Sequence, residues 1–299
     1  MSRCCLLGIN MNPISKQDEL KYSASFLFTP AVDVSKFDRG VEVGVDVTVL
    51  DLEDSVSNDK KAFARENILN YFSVKPVFLT GLRINSIRCS DGIKDLQLLF
   101  DMQQLPDAIF ISKVVAAEEI KIIKDLLLEK NQELPLLIAI IENVAGLNAL
   151  DKIAQVADGL IFGSADFCAD IEMEMSWKNL FSARQQIIEA AAENNILCID
   201  TAFFHLDDRK GLFRECFKIK KMGLHAKAAL NPMQAEIINK ALAPRRREIL
   251  HANKVVSESE KNLGGVNRMK DIMIGPPFLI MANKILIRAE IRRKHSNAA

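Results

Sequence analysis

Two acids stand where a parallel α/β chain places its chemistry. The run Leu136-Leu-Ile-Ala-Ile-Ile141 is apolar throughout and ends on Glu142. A second run, Gly159-Leu-Ile-Phe162, passes into Gly163-Ser-Ala-Asp166. Continuous apolar runs of this length read as strands buried on both faces. The carboxyl ends of such strands carry the active site in barrels and open sheets alike. Neighbouring strands lie about 5 Å apart, so Glu142 and Asp166 can reach one ion. Two carboxylates leave most of the shell to water and substrate oxygens, which is the habit of Mg2+. Mn2+ would fit the same oxygens, and nothing soft is offered to zinc or copper.

A second acidic group follows another β-branched run. Val45–Leu50 leads directly into Asp51-Leu-Glu-Asp54. Strand alternation predicts Asp51 and Glu53 on one side, Leu52 and Asp54 on the other. Acids so close repel one another unless a cation, an arginine or a proton intervenes. The plainer reading of Asp54 is a helix cap. Arg83, near the end of the run Val77–Ile84, can grip a carboxylate through two parallel hydrogen bonds. It can equally serve as structural partner to the acids of residues 51–54. Lys113 and Lys227 also fall at strand ends. Schiff-base chemistry is open to either, but an ordinary cationic partner for the acids is the favoured reading. His205, His225, His251 and His295 form no pair at ligand spacing. Arg245-Arg-Arg247 is either a solvated helix start or a contact for the phosphates of an acyl carrier such as coenzyme A.

The elements that must position these groups alternate regularly. Strands are predicted at Ser25–Thr29, Val45–Leu50, Val77–Ile84, Ala108–Ser112, Leu136–Ile141, Gly159–Phe162, Ile196–Asp200 and Ala226–Leu230. Helices are predicted between them, including Asn58–Phe72, Glu118–Glu129 and Gly146–Val156, where apolar residues recur at helical spacing. Eight such units match the roughly 250 residues of a (β/α)8 TIM barrel, with a doubly wound open sheet as the alternative. Residues 1–22 read as a flexible tail, 23–243 as the barrel, and 244–299 as a C-terminal helical extension. The extension contains a charged helix at Arg245–Lys261, a turn at Met273–Pro277 and an apolar helix at Phe278–Ile287. It would pack on its own barrel or on a neighbouring subunit.

Composition narrows the class further. The 299 residues carry 39 Lys and Arg against 39 Asp and Glu, so no net charge draws the chain to nucleic acid or to an anionic membrane. No run reaches the roughly 18 apolar residues of a membrane span. Six cysteines show no CxxC spacing, which favours a reducing, cytoplasmic setting over a disulfide framework. Cys4 and Cys5 offer palmitoylation only as a minor alternative to the flexible tail.

The order of short motifs then resembles a known family. Phe28-Thr-Pro30, Leu50-Asp-Leu-Glu-Asp-Ser-Val56, Lys61, Ala64-Arg65, Arg83-Ile-Asn85, Lys113-Val114, Ile141-Glu142, Gly163-Ser-Ala-Asp166 and Asn231-Pro-Met-Gln234 resemble the citrate lyase beta-subunit-like proteins. Malyl-CoA and citramalyl-CoA lyases belong to the same superfamily, with HpcH/HpaI-type aldolases as more distant relatives. The resemblance runs from about residue 23 to residue 289. It implies a TIM barrel and Mg2+ held by Glu142 and Asp166. Arg83 is then expected to hold the carboxylate of a 2-oxo acid. Glu53 and Asp54 are expected to order metal-bound waters and the active-site lysine. Lys61 joins the catalytic set, and Gly163, Ser164 and Ala165 are expected to contact substrate. The implied reaction cleaves or forms the carbon–carbon bond between an acyl thioester, on CoA or an acyl carrier, and a small 2-oxo acid. The implied assembly is a homotrimer or larger.

The chain departs from the family pattern at several points. The C-terminal Met-Ile-Asp-x-Pro motif, whose Asp serves a neighbouring subunit's site as acid/base, reads Met273-Ile-Gly-Pro-Pro277. Gly275 has no side chain to move a proton, and Asp271 is the nearby substitute. Ala24 replaces an arginine, Ser112 a proline and Asn231 a histidine. Two alternatives to the lyase reading therefore stand. One is an acyl-thioester hydrolase or a CoA-independent aldolase. The other is a non-catalytic subunit that binds an oxo acid within a larger complex.

Overall fold

A computed structural model describes residues 15–130, 133–261, 266–269 and 272–298. The chain divides into two compact units, Ser23–Leu242 and the combination of Met1–Tyr22 with Ala243–Ala299. Cys4, Cys5 and Asp271, singled out in the sequence, lie outside the described residues.

The larger unit holds eight parallel strands: β1 (Ser25–Pro30), β2 (Val47–Asp51), β3 (Thr80–Ile84), β4 (Ala108–Ile111), β5 (Leu136–Ile141), β6 (Gly159–Phe162), β7 (Leu197–Ile199) and β8 (Lys227–Ala229). Consecutive strands pair from β1 to β7, and β8 pairs with β1. The remaining gap is bridged between Asp200, just past β7, and Lys227. The expected (β/α)8 barrel is therefore the observed one, and the open sheet is excluded. Side chains reinforce the short closing seam. The Lys227 ammonium donates to Asp200 Oδ2 at 2.6 Å and to Glu215 at 2.7 Å, and Arg184 Nε donates to Asp200 Oδ1 at 2.7 Å. Lys227 is a cationic partner in the layer between strands and helices.

Strand alternation splits the apolar residues between two layers. One set, including Leu82, Ile109, Ile111, Ala139 and Leu160, packs outward against helices Lys61–Tyr71, Ser90–Asp101, Ala117–Leu128 and Trp177–Glu193. The other fills the barrel interior, where Phe26 and Phe28 meet the Phe110 ring edge-on at 6.1 and 5.7 Å between centroids. Gly81 on β3 gives that ring its room, because a Cβ there would lie 2.7 Å from Phe110 Cε2.

Several boundaries differ from expectation. β3 begins at Thr80, since Val77 is 96% exposed. The single helix expected at Gly146–Val156 is two short ones, Val144–Asn148 and Leu150–Ala154, broken at Ala149. Asn143 caps the first by accepting the Gly146 N–H at 2.7 Å.

In the smaller unit, residues 16–21 form a helix capped by Ser15, where the sequence suggested an unstructured tail. Helices Arg246–Lys261 and Pro276–Ala298 pack through Ala252, Val255, Val256, Ala282 and Leu286. The turn expected at Met273–Pro277 is instead partly a strand: Ile272–Ile274 pairs antiparallel with Asn267–Met269. Among the described residues no helix is long and apolar enough to cross a membrane.

Candidate active site

The carboxyl ends of the barrel strands bring the predicted groups to one place. Asp51 closes β2 and is 1% exposed. Its oxygens take the fork of Arg83, from Nε and Nη2, both at 2.6 Å. They also accept the backbone N–H groups of Glu53 and Ser55 and the Ser55 hydroxyl. A carboxylate that captures the N–H groups two and four residues on curls the chain into a turn. The strand therefore stops at Asp51. The two-sided alternation expected for residues 51–54 does not hold, because Glu53 and Asp54 both approach the Lys113 ammonium, at 2.6 and 3.5 Å. Burial pushes the Asp51 carboxyl upward most strongly, but the Arg83 charge together with the hydrogen bonds from Arg83, Ser55 and the Glu53 N–H holds Asp51 below its ordinary value.

Arg83 is thus a structural partner and a cavity residue at once. Its Nη1 lies 3.0 Å from Glu53 Oε2, its guanidinium stands 5.3 Å from the Phe28 ring, and it still lines the central cavity. Glu53 is pushed upward, chiefly by burial, against the pull of Arg83 and Lys113.

Lys61 lies beneath this loop rather than in the cavity. Its ammonium donates to the carbonyls of Leu52 at 2.8 Å and Glu53 at 3.0 Å, and to Asn85 Oδ1 at 2.9 Å. All three ammonium donors are thereby engaged. Asn85 also donates to Leu52 O and to Asp95, which is held by Arg65 at 2.7 Å. This chain of buried polar groups gives the motif residues Lys61 and Arg65 a positioning place under the acidic loop. Asn85 and Asp95 carried no chemical assignment in the sequence. Asp95 is an acid at a helical position, and only the tertiary contact marks it out.

Glu142 stands one residue past β5 and is 2% exposed. Its Oε1 accepts the Lys113 backbone N–H at 2.6 Å. Lys113 adopts φ 55° to present that N–H, a conformation non-glycine residues rarely hold outside sites that need it. Gly163 fits against the other side, since a Cβ there would overlap Glu142 Cβ and lie 2.8 Å from Oε2. Burial, then the charges of Glu53 and Asp166, push the Glu142 carboxyl up to about 8. Asp166 lies in the first turn of the helix Ser164–Asp170.

Glu142 and Asp166 both border two adjoining openings. One is a cavity of about 340 Å³ that also contains Arg83, Asp54, Gly163, Ser164 and Ala165. The other, of about 400 Å³, contains Arg88, Lys113 and Asp170. Around these openings six acids, Asp51, Glu53, Asp54, Glu142, Asp166 and Asp170, crowd against four cations, Lys61, Arg83, Arg88 and Lys113, and the crowding of Glu142 by Glu53 and Asp166 is part of what pushes its carboxyl upward. A hard divalent cation would relieve that crowding and suits the all-oxygen donor set. Among the described residues no group of three or more His, Cys, Asp or Glu is arranged around one metal position. Glu142 and Asp166 could therefore supply two ligands and leave the rest to water or substrate. Thr201, which the sequence did not single out, holds Ser164 in place through hydroxyls 2.6 Å apart.

A closed parallel barrel with two carboxylates and an acid-held arginine at its strand ends defines a class. The chain belongs to the HpcH/HpaI aldolase/citrate lyase family, matched over residues 24–232. It is 26% identical over 294 residues to citrate lyase subunit beta of Escherichia coli K12, covering 92% of this chain and 96% of that one. RipC from Yersinia pestis is 36% identical, with a TM-score of 0.68 over 77% of this chain and 99% of its own. CitE from Mycobacterium tuberculosis, solved with magnesium, acetoacetate and coenzyme A, shares the fold at a TM-score of 0.75 and 23% identity. That match covers 90% of this chain and 99% of CitE.

Proposed function

We propose that this protein is a Mg2+-dependent carbon–carbon lyase acting between an acyl thioester and a small 2-oxo acid. The observation that carries the reading is the shared cavity of Glu142, Asp166 and Arg83 at the strand ends. The family membership and the E. coli relative's name support the reaction class. When bound, Mg2+ would withdraw electrons from an oxo-acid carbonyl. Glu142 and Asp166 would hold it, with Mn2+ suited to the same oxygens.

The remaining work falls to residues of this chain. Arg83 has N–H groups beyond those engaged by Asp51 and Glu53, and these hold the substrate carboxylate. Asp51 fixes the guanidinium plane. Lys113 holds Glu53 and Asp54 together, and Lys61 secures their backbone from below. Gly163, Ser164 and Ala165 border the substrate. In the cleavage direction the bond between the thioester α-carbon and the hydroxyl-bearing carbon breaks. The hydroxyl proton leaves, and the α-carbon takes one up. Asp54, half exposed at the rim, is the carboxylate placed to exchange protons with solvent.

The test is release of a 2-oxo acid, with Mg2+, from a panel of 3-hydroxyacyl-CoA thioesters whose hydroxyl-bearing carbon also carries a carboxylate. Product is expected from the native protein and none from Glu142→Ala. A native protein that forms no product from any thioester would sink the reading. Gly275 favours a second reading, hydrolysis of the thioester or an aldol reaction without CoA, because that position offers no side chain to move a proton. We place the protein in the cytoplasm, in keeping with the buried free thiols of Cys168 and Cys216. We read it as a homotrimer or larger.

A further inference from the structure

The motif Asn231-Pro-Met-Gln234 takes no part in the acid and arginine contacts described above, yet its glutamine is 1% exposed. The motif opens as a helix entry. Asn231 Oδ1 accepts the Gln234 N–H at 2.9 Å, and Pro232 begins the helix Pro232–Leu242, in the manner of a cap followed by a first helical position. Gln234 Oε1 accepts the Leu230 N–H at 2.9 Å, close to the reach-back of a capping box. Its Nε2 makes a bond that no cap requires. It donates to Phe203 O at 2.8 Å, in the loop after β7.

One amide thus joins the loops that follow β7 and β8. Phe204 and Leu230, carried by those loops, both line the strand-end cavity. The β7 loop is anchored first at Thr201, whose carbonyl accepts the buried Lys227 ammonium at 2.7 Å, and next at Phe203. From Phe204 to Lys210 the chain is exposed. Among the described residues the backbone bonds that follow, Asp208 N–H to His205 O and Arg209 N–H to Asp207 O, stay inside the loop. The Phe203 ring packs on the apolar layer that contains Ala235 and Ile238, so packing seats the ring without the amide. What the amide fixes is the Phe203 carbonyl, hence the plane of the peptide that leads to Phe204. The residue type suits both bonds, because a neutral amide offers an acceptor and a donor together. An ionised glutamate lacks the donor, and so does methionine. We infer that Gln234 is a positioning residue for the substrate wall: it locks the β7 and β8 loops together, presents Phe204 and Leu230 to the cavity, and leaves the metal alone. The inference rests on the lyase reading, since the wall belongs to the same cavity.

The test uses the full-length protein and two variants. Gln234→Met loses both bonds. Gln234→Glu, at about pH 8.5 and far above the ordinary glutamate value, keeps the bond from Leu230 and loses the donor to Phe203. Chymotrypsin reads the loop directly, because Phe203, Phe204 and Leu206 are cleavage sites. Both variants are expected to be cut within residues 203–206 about tenfold faster than native, with cutting elsewhere unchanged. Calorimetric titrations with pyruvate, oxaloacetate and acetyl-CoA, each with Mg2+, read the wall. A misplacement of about 1 Å can cost about a hundredfold. At least one of the three is therefore expected to bind about tenfold or more weakly in both variants, with Mg2+ affinity within about threefold of native. Native cutting and native affinities in Gln234→Glu reduce Gln234 to a helix cap and overturn the inference. Faster cutting with all three affinities unchanged also overturns it, as does a loss of Mg2+ affinity as large as that of the organic probes. Thioester turnover separates the two ideas. Faster cutting and weaker binding in the variants, with no product from any thioester in the native protein, remove the lyase reading and leave Gln234 its role. Product from the native protein, with kcat/KM unchanged in both variants, does the reverse. A native protein that binds none of the three probes removes both.

Discussion

Gly163→Ala probes the close packing behind Glu142. Gly163 has φ −93° and ψ 77°, so alanine can adopt its backbone conformation without the penalty of a left-handed residue. The cost comes from contact alone. The new methyl would overlap Glu142 Cβ and sit 2.8 Å from Oε2 and 3.3 Å from Ile140 Cγ2, whereas carbon atoms rest at roughly 3.5–4.0 Å. Glu142 Cβ is fixed to the backbone, and Oε1 is tied to the Lys113 N–H. Relief therefore requires the carboxylate or the β6 end to move by about 1 Å. Overpacking of this kind costs about 1–3 kcal/mol, which corresponds to roughly 5- to 150-fold in an equilibrium constant. Much of it should fall on the ion, because ligand orientation commonly governs affinity by about 10- to 100-fold. Calorimetric Mg2+ titration is expected to show affinity lowered within that range, and thermal unfolding without Mg2+ to show only a modest loss. A variant that binds Mg2+ as tightly as the native protein would refute the argument that Gly163 seats a metal-binding Glu142.

Two further perturbations separate positioning from chemistry and from stability. Lys61→Met removes the ammonium under the acidic loop, while Leu52 O keeps its bond from Asn85 and Glu53 O its bond from the Val56 N–H. Urea unfolding is expected to register a loss of about 1–3 kcal/mol, with turnover reduced and Mg2+ affinity within about threefold of native. Abolished Mg2+ binding at unchanged stability would instead place Lys61 at the ion. Asp200→Asn leaves Lys227 and Arg184 buried beside a neutral amide, and breaking such a pair costs about 3–5 kcal/mol. Burial opposes the Asp200 charge, but Lys227 and Arg184 outweigh it and hold the carboxyl below 3.8. Its contribution is therefore present above the ordinary carboxyl value and lost as pH falls through the lower folded value. Unfolding measured from about pH 7 down to about pH 3 should show the native protein losing this contribution with acid. The variant should lack it throughout, and a variant within 1 kcal/mol of native at neutral pH would contradict the account.

The sequence alone determined the alternation of elements and the strand ends that carry Glu142, Asp166 and Arg83. Those features are local: an apolar run followed by a polar residue is legible wherever the run is long enough to form a buried strand. β6 was read to the residue for that reason. Where a side chain redirects the backbone, local reading failed. Asp51 curls residues 52–55 into a turn, so a period-two pattern assigned Glu53 and Asp54 to opposite sides. Distance in the chain hid other partnerships. Lys61 and Asn85 are 24 residues apart yet share a hydrogen bond, and Lys113 reaches Glu53 across 60 residues. Closure belonged wholly to tertiary structure, because two three-residue strands, β7 and β8, meet only through Asp200 and Lys227. Composition and spacing state which groups are present, but the cavity's charge balance depends on which of them face one another, and only the folded barrel decides that.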